Sequence, residues 1–192
     1  MSFAALKLHP SILANITALG YEVPTPIQAQ AIPVAIKGRD LLGIAKTGSG
    51  KTASFVLPML HMLLARPATE RNRQPQVLVL VPTRELAMQV AEVCKACSRN
   101  LPWPVKSIAV YGGVSINPQM KALYGVEILI ATPGRLLDLQ RSNAVDLSKV
   151  ETLVLDEADK MLNLGCHQEM QEIFELLPRK RQNMLFSASL SV

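Results

Sequence analysis

The chain has 192 residues, 49% of them apolar and 18% charged, with a formal net charge of +5. That length buries a real core, and because the apolar residues fall in short runs cut by Pro, Gly and charges, a membrane-spanning helix is excluded. The positive balance favours an anionic partner, residues 1–7 lack the layout of a secretory signal, so a cytoplasmic setting is expected, and three cysteines form no disulfide framework.

Between Pro10 and Gly20, Ile12, Leu13, Ile16 and Leu19 recur at helical spacing, which predicts an amphipathic helix over 10–19. Pro24 and Pro26 stiffen the next segment, and a second helix is expected from about Pro26 with Thr25 as its N-cap. From residue 41 a rhythm of apolar strand, polar or glycine turn and amphipathic helix begins. Strands are expected at 41–45, 77–81, 106–111, 126–131, 151–155 and 183–187, and helices at 51–65, 84–98, 116–123, 134–141 and 167–177. Runs of Val, Leu and Ile without strict alternation suit parallel strands covered on both faces, so the expected fold is α/β, a doubly wound, mostly parallel sheet. The Arg-, Pro-, Asn- and Gln-rich stretch 66–76 reads as an exposed loop, too short to separate domains. Cys94 and Cys97 sit inside the 84–98 helix with no second pair and read as packing thiols.

The stretch that carries the most chemistry is Ala45-Lys46-Thr47-Gly48-Ser49-Gly50-Lys51-Thr52, which leaves the first strand and opens a helix. Glycines allow a tight backbone turn with N–H groups pointing inward, and the helix adds the positive end of its dipole, so the concavity suits a polyphosphate. Lys51 supplies a point charge for the β- and γ-phosphates and Thr52 a hydroxyl for Mg²⁺. Ala45 stands where the strict pattern has Gly. About 105 residues downstream, a strand ends in Asp156-Glu157-Ala158-Asp159. In open α/β sheets ligands lie beyond the carboxyl ends of strands, so Asp156 suits a Mg²⁺ contact and Glu157 can position an attacking water. Two further segments, Pro82-Thr83-Arg84 and Thr132-Pro133-Gly134-Arg135, each follow a strand and open a helix, combining N–H groups, a hydroxyl and an arginine in a phosphodiester-binding set. Gly112 and Gly113 would admit a nucleic-acid backbone closely, and the side-chain amide of Gln28 matches the N6 and N7 edge of adenine.

Taken together these motifs resemble, in order, the first-domain series of the DEAD-box ATP-dependent RNA helicases, most closely the bacterial RhlE-like group. The Asp-Glu-Ala-Asp tetrad names the family. Gly20-Tyr21 to Gln28, with Phe3 upstream, resembles its Q motif, residues 82–87 its motif Ia, Gly112-Gly113 its glycine doublet, residues 132–135 its motif Ib, and Ser187-Ala188-Ser189 its Ser-Ala-Thr. The resemblance implies a RecA-like P-loop NTPase fold in one domain over 1–192, with 1–40 a Q-motif helical segment and 41–192 the core. It implies ATP or ADP with Mg²⁺ as cofactors, bound by Phe3, Tyr21, Thr25, Gln28 and the 45–52 loop. It further implies RNA bound through its backbone by residues 82–84, 112–113 and 132–135, and coupling through Asp159, Ser187 and Ser189. Departures are Ser189 for Thr, Leu190 for an aromatic, Cys166 for Phe and Lys46 for Gln. Family enzymes use a second RecA-like domain that supplies an arginine finger. No second strand-helix series is found in these 192 residues, so the chain is expected to be a monomeric fragment that binds nucleotide and hydrolyses it slowly. Two rival readings are an RNA-binding module merely gated by ATP and a different phosphate-loop enzyme.

Overall fold

The structure, a computed structural model, describes residues 2–66 and 74–189. Most of the loop expected at 66–76, and Leu190, lie outside these residues. Six strands are present among the described residues: β1 Leu41–Ile44, β2 Val77–Leu80, β3 Ser107–Val110, β4 Ile128–Ala131, β5 Thr152–Leu155 and β6 Gln182–Ser187. They form one open sheet in the order β1-β6-β5-β2-β4-β3, and every pairing is parallel. The sheet is thus wholly rather than mostly parallel. β2, β4 and β5 are buried at every residue, which is why they read as unbroken apolar runs. β1 lies at an edge, where Leu42 and Ile44 remain exposed.

Eight helices surround the sheet among the described residues: α1 Pro10–Ala18, α2 Pro26–Ala35, α3 Lys51–Leu64, α4 Arg84–Cys97, α5 Ile116–Ala122, α6 Pro133–Arg141, α7 Ala158–Asn163 and α8 His167–Leu176. Proline occupies the first helical position of α1, α2 and α6, where its missing N–H has no partner to lose. Strand alternation divides the interior. Val77, Val79 and Val81 face a core shared with α1–α4, whereas Leu78 and Leu80 face a second core shared with α6–α8. α7 is a single short element after the acidic tetrad, too brief to show a helical period, and was not expected from the sequence. Neither was the 3-10 turn at Phe3–Leu6. Among the described residues no helix is long and apolar enough to cross a membrane, and no cluster of three or more His, Cys, Asp or Glu forms a metal site.

Because all strands run the same way, their carboxyl ends share one rim. Along it follow the 45–52 loop, Ser187 to Ser189, Asp156-Glu157, Pro82 to Arg84, Thr132 to Arg135, and Gly112-Gly113. Segments interleaved in sequence are sorted in space into two halves.

Candidate functional site

One half of the rim holds a cleft of about 280 Å³ lined by Tyr21, Thr47, Gly48, Gly50, Lys51, Thr52, Asp156 and Glu157, together with Ala53, Leu86, Gln89 and Val93. A larger cavity of about 530 Å³ opens at the opposite end of the sheet; size does not choose the site, because only the smaller cleft gathers the glycine loop and the acidic tetrad. Leu86, Gln89 and Val93 were missed from the sequence. They lie on α4, whose helical period makes them neighbours, yet nothing local says that this face borders the cleft of the glycine loop.

The loop is built by backbone conformation. Gly48 and Gly50 adopt φ of +81° and +86°, and Ala45 N–H donates to the Ser187 carbonyl at 3.0 Å, tying the loop to β6. No protein atom lies within 4 Å of where a Gly48 side chain would start, whereas a Cβ on Gly50 would meet Gln28 Nε2 at 2.5 Å and Thr25 Oγ1 at 3.0 Å. Ser49 N–H closes a turn onto the Lys46 carbonyl at 3.2 Å, and the Lys46 side chain is exposed. Behind the loop, Lys51 Nζ lies 3.2 Å from Asp156 Oδ1, with both side chains more than nine-tenths buried. Burial pushes the Asp156 carboxyl above its ordinary value, and the Lys51 charge offsets that only in part. Glu157 is held at φ +55°, ψ +47°, left-handed backbone that a residue with Cβ rarely adopts, with its N–H on Asp156 Oδ1 at 3.0 Å and its carboxylate 3.5 Å from Lys160 Nζ.

Several Q-motif residues meet the loop from behind. Gln28 is 3% exposed; its Oε1 accepts from Thr25 N–H and its Nε2 donates to the Gly50 carbonyl, both at 3.0 Å. Both halves of the amide expected to read adenine are thus engaged within the protein. Phe3, expected to stack on the base, lies in the first core and meets Tyr21 edge-on with ring centroids 6.0 Å apart; of that pair only Tyr21 lines the cleft.

At β6, Ser189 N–H and Oγ both reach Asp159 Oδ2 at 3.3 Å, and Ser187 Oγ donates to the Ser189 carbonyl at 2.7 Å. Partial desolvation works upward on Asp159, but the N–H groups of Lys160, Ser189 and Ala188 outweigh it and hold the carboxyl below its ordinary value.

On the other half of the rim, Thr83 caps α4 by accepting from Leu86 N–H at 3.3 Å, which leaves Arg84 exposed with its guanidinium 5.1 Å from the Tyr111 ring centroid. Pro82 is half-buried. Gly112 and Gly113 have open space above them, with Gly113 at φ +79°. Thr132 and Pro133 begin α6, and Gly134 is open to solvent. Arg135 differs from expectation: it is 9% exposed, turned inward, and donates from Nη2 to the Val114 carbonyl at 2.8 Å. It holds the glycine loop rather than projecting beside Arg84. Cys94 and Cys97 are buried, with thiols pushed up by burial to about 12 and about 11.

Comparison with known proteins follows the same lines. The family model for DEAD/DEAH box helicases matches residues 25–192. ATP-dependent RNA helicase DeaD of Escherichia coli (strain K12) is 47% identical over 190 residues, covering 98% of this chain and 29% of its own length. ATP-dependent RNA helicase dbp2 of Schizosaccharomyces pombe is 46% identical over 179 residues, covering 93% of this chain and 32% of its own length. The chain therefore spans about three tenths of the length of the curated relatives it matches.

Proposed function

Because the chain belongs to the DEAD/DEAH box helicase family, we propose that it is the RecA-like ATP-binding domain of an RNA helicase, with 1–40 its Q-motif segment and 41–192 its core. In this reading ATP binding and hydrolysis drive local RNA unwinding when a second RecA-like domain closes over the site. The observation that carries the proposal is the buried Lys51–Asp156 pair behind an open glycine loop.

The triphosphate enters the concavity of residues 45–50, where Thr47, Gly48 and Gly50 line the cleft, the α3 N-terminus supplies its dipole, and Lys51 opposes the β/γ charge. A divalent cation fits this donor set, because Asp156 is a desolvated carboxylate whose one cationic partner among the described residues is Lys51, and Thr52 adds a hydroxyl in the same cleft. Mg²⁺ held by Thr52 and Asp156, partly through water, would neutralise charge on the phosphate oxygens. Glu157 holds the attacking water, a task for which its fixed backbone matters more than basicity. Tyr21 faces the adenine side with Phe3 behind it, and Thr25 and Gln28 select the base once Gln28 exchanges Gly50 for the ring. Asp159, Ser187 and Ser189 link the nucleotide half to the RNA half.

RNA lies along residues 82–84, 112–113 and 132–134, recognised through its phosphates, with Arg135 acting through the glycine loop. Arginines of the second domain contribute about 10³–10⁵ in turnover in such enzymes, so the chain alone is a monomer that binds nucleotide and hydrolyses it slowly in a cytoplasmic setting. Competition of ATP and GTP against a fluorescent ADP tests the reading: ATP should win clearly, and Lys51→Ala should abolish binding. Equal affinities, or retained binding in Lys51→Ala, would overturn it.

A further inference from the structure

At the far edge of the sheet β3 has, among the described residues, a neighbouring strand on one side only, β4. Val110 spends its carbonyl on Thr132 N–H next to β4, at 3.1 Å. Strand alternation therefore turns the N–H and C=O of the next residue, Tyr111, toward the open side, where no strand of the described residues answers them. They are answered by one side chain. Gln119 on α5 accepts from Tyr111 N–H through Oε1 and donates to the Tyr111 carbonyl through Nε2, both at 3.1 Å. A primary amide carries the donor and the acceptor of a peptide group, so Gln119 stands in for one residue of a missing strand.

What this fixes lies on the proposed RNA face. Tyr111 carries the ring over which Arg84 sits, 5.1 Å from the centroid, and its carbonyl is bonded directly to Gly112. At the loop's other end Arg135 grips the Val114 carbonyl at 2.8 Å. The segment 112–113, flexible by composition and with open space above it, is thus clamped on both sides by side chains from two helices. Flexible backbone binds a phosphate only after losing its conformational freedom, and clamping removes that cost in advance.

We propose that Gln119 is a positioning residue for RNA binding: by closing the edge of the sheet at Tyr111 it sets both the platform under Arg84 and the start of the Gly112-Gly113 loop. The proposal rests on the RNA-binding reading above, and Gln119 itself touches no RNA. It separates two classes of contact on one face, groups that meet phosphates and groups that hold them in place.

The experiment measures anisotropy of a fluorescein-labelled single-stranded oligouridylate titrated with the chain at several salt concentrations, alongside affinity for a fluorescent ADP and a thermal melt. Gln119→Ala should weaken RNA binding about tenfold and flatten the log–log salt dependence by about one, as loss of one arginine–phosphate contact does. Arg84→Ala should do the same, and the double variant should bind more weakly than Arg84→Ala alone, because the loop is also released, but by clearly less than the product of the two single effects, because coupled residues are not additive. Nucleotide affinity should stay unchanged. Gln119→Glu, which keeps the bond to Tyr111 N–H but sets a carboxylate oxygen against the carbonyl, should also weaken RNA binding and decides the matter if Gln119→Ala does not fold. Multiplying effects of the two single variants, or an unchanged salt slope in the Gln119 variants, would overturn the proposal and leave Gln119 a structural residue. Parent binding that is lost in Arg84→Ala but kept in Gln119→Ala would sink this inference alone. A parent chain that binds no oligouridylate at low salt would sink the RNA reading with it.

Discussion

Replacing Lys51 by Ala isolates the energetics of the proposed nucleotide cleft without any ligand. Asp156 is 1% exposed and its ammonium partner, Lys51, stands 3.2 Å away. Removing one member of such a pair leaves an uncompensated buried charge, which costs about 3–5 kcal/mol; the lower figure applies here because truncation opens the cleft to water. At about 2–4 °C per kcal/mol for a domain of this size, the melting temperature should fall by about 6–12 °C at pH 7.5. The loss should depend on pH with a definite sign. The folded Asp156 carboxyl lies above its ordinary value, so the folded chain holds more protons than the unfolded one between those two values, and stability falls as pH rises through that interval. Without Lys51 the main downward influence is gone and the interval extends further upward. Thermal melts followed by circular dichroism from pH 5 to 7.5 should therefore show the deficit of Lys51→Ala shrinking on the acid side, and Lys51→Ala/Asp156→Asn should recover most of it. A Lys51→Ala protein that melts within about 2 °C of the parent at pH 7.5, with no pH dependence, would refute the burial argument.

Gly50→Ala should lose nucleotide binding and about 1–3 kcal/mol of stability in denaturant titration, because its Cβ would press on Gln28 Nε2 at 2.5 Å from a backbone at φ +86°; unchanged binding would show that the Gln28 contact yields freely. Glu157→Gln should keep nucleotide affinity while cutting hydrolysis by about 10²-fold or more, whereas Glu157→Gly should be more stable than Glu157→Ala by up to about 1–2 kcal/mol in denaturant titration as the left-handed strain at φ +55° is relieved. In a native titration with a disulfide reagent at pH 8, Cys94 and Cys97 should stay unreacted, since both are fully buried and burial raises their thiols to about 12 and about 11. Only half-buried Cys166 should respond, with its thiol raised by its own partial burial and the nearby Glu169.

The strands were legible because a parallel strand covered on both faces writes its burial into consecutive residues. Val77–Leu80, Ile128–Ala131 and Thr152–Leu155 are apolar or small at nearly every position and buried at all of them. Helix starts were legible for a chemical reason, since Pro10, Pro26 and Pro133 suit only a first turn. α7 escaped notice because six residues hold less than two turns and show no period. Arg135 and Arg84 each follow a strand and open a helix, and the local sequence makes them equivalents; the structure makes one a buried brace and the other an exposed cation. Gln28 has the right chemistry for a purine edge, but which groups its amide meets depends on a contact with Gly50, 22 residues away.

By itself, then, the sequence determined the elements and the chemistry at each strand end, because turn conformation, burial period and side-chain type act over a few residues. Strand order it left open. Parallel pairing carries no local signal, since each strand offers the same backbone groups and the same apolar faces, and neighbours are decided by which crossovers pack. That order places β6 between β1 and β5 and sets β2, β4 and β3 on the far side. It brings Lys51 to Asp156 across the rim and gathers Arg84, Tyr111 and Gly112-Gly113 on the other half. The division of one rim into a half that holds the glycine loop and Asp156-Glu157, with Ser189 bonded to Asp159, and a half that holds Arg84, Tyr111 and Gly112-Gly113 exists only in the folded sheet.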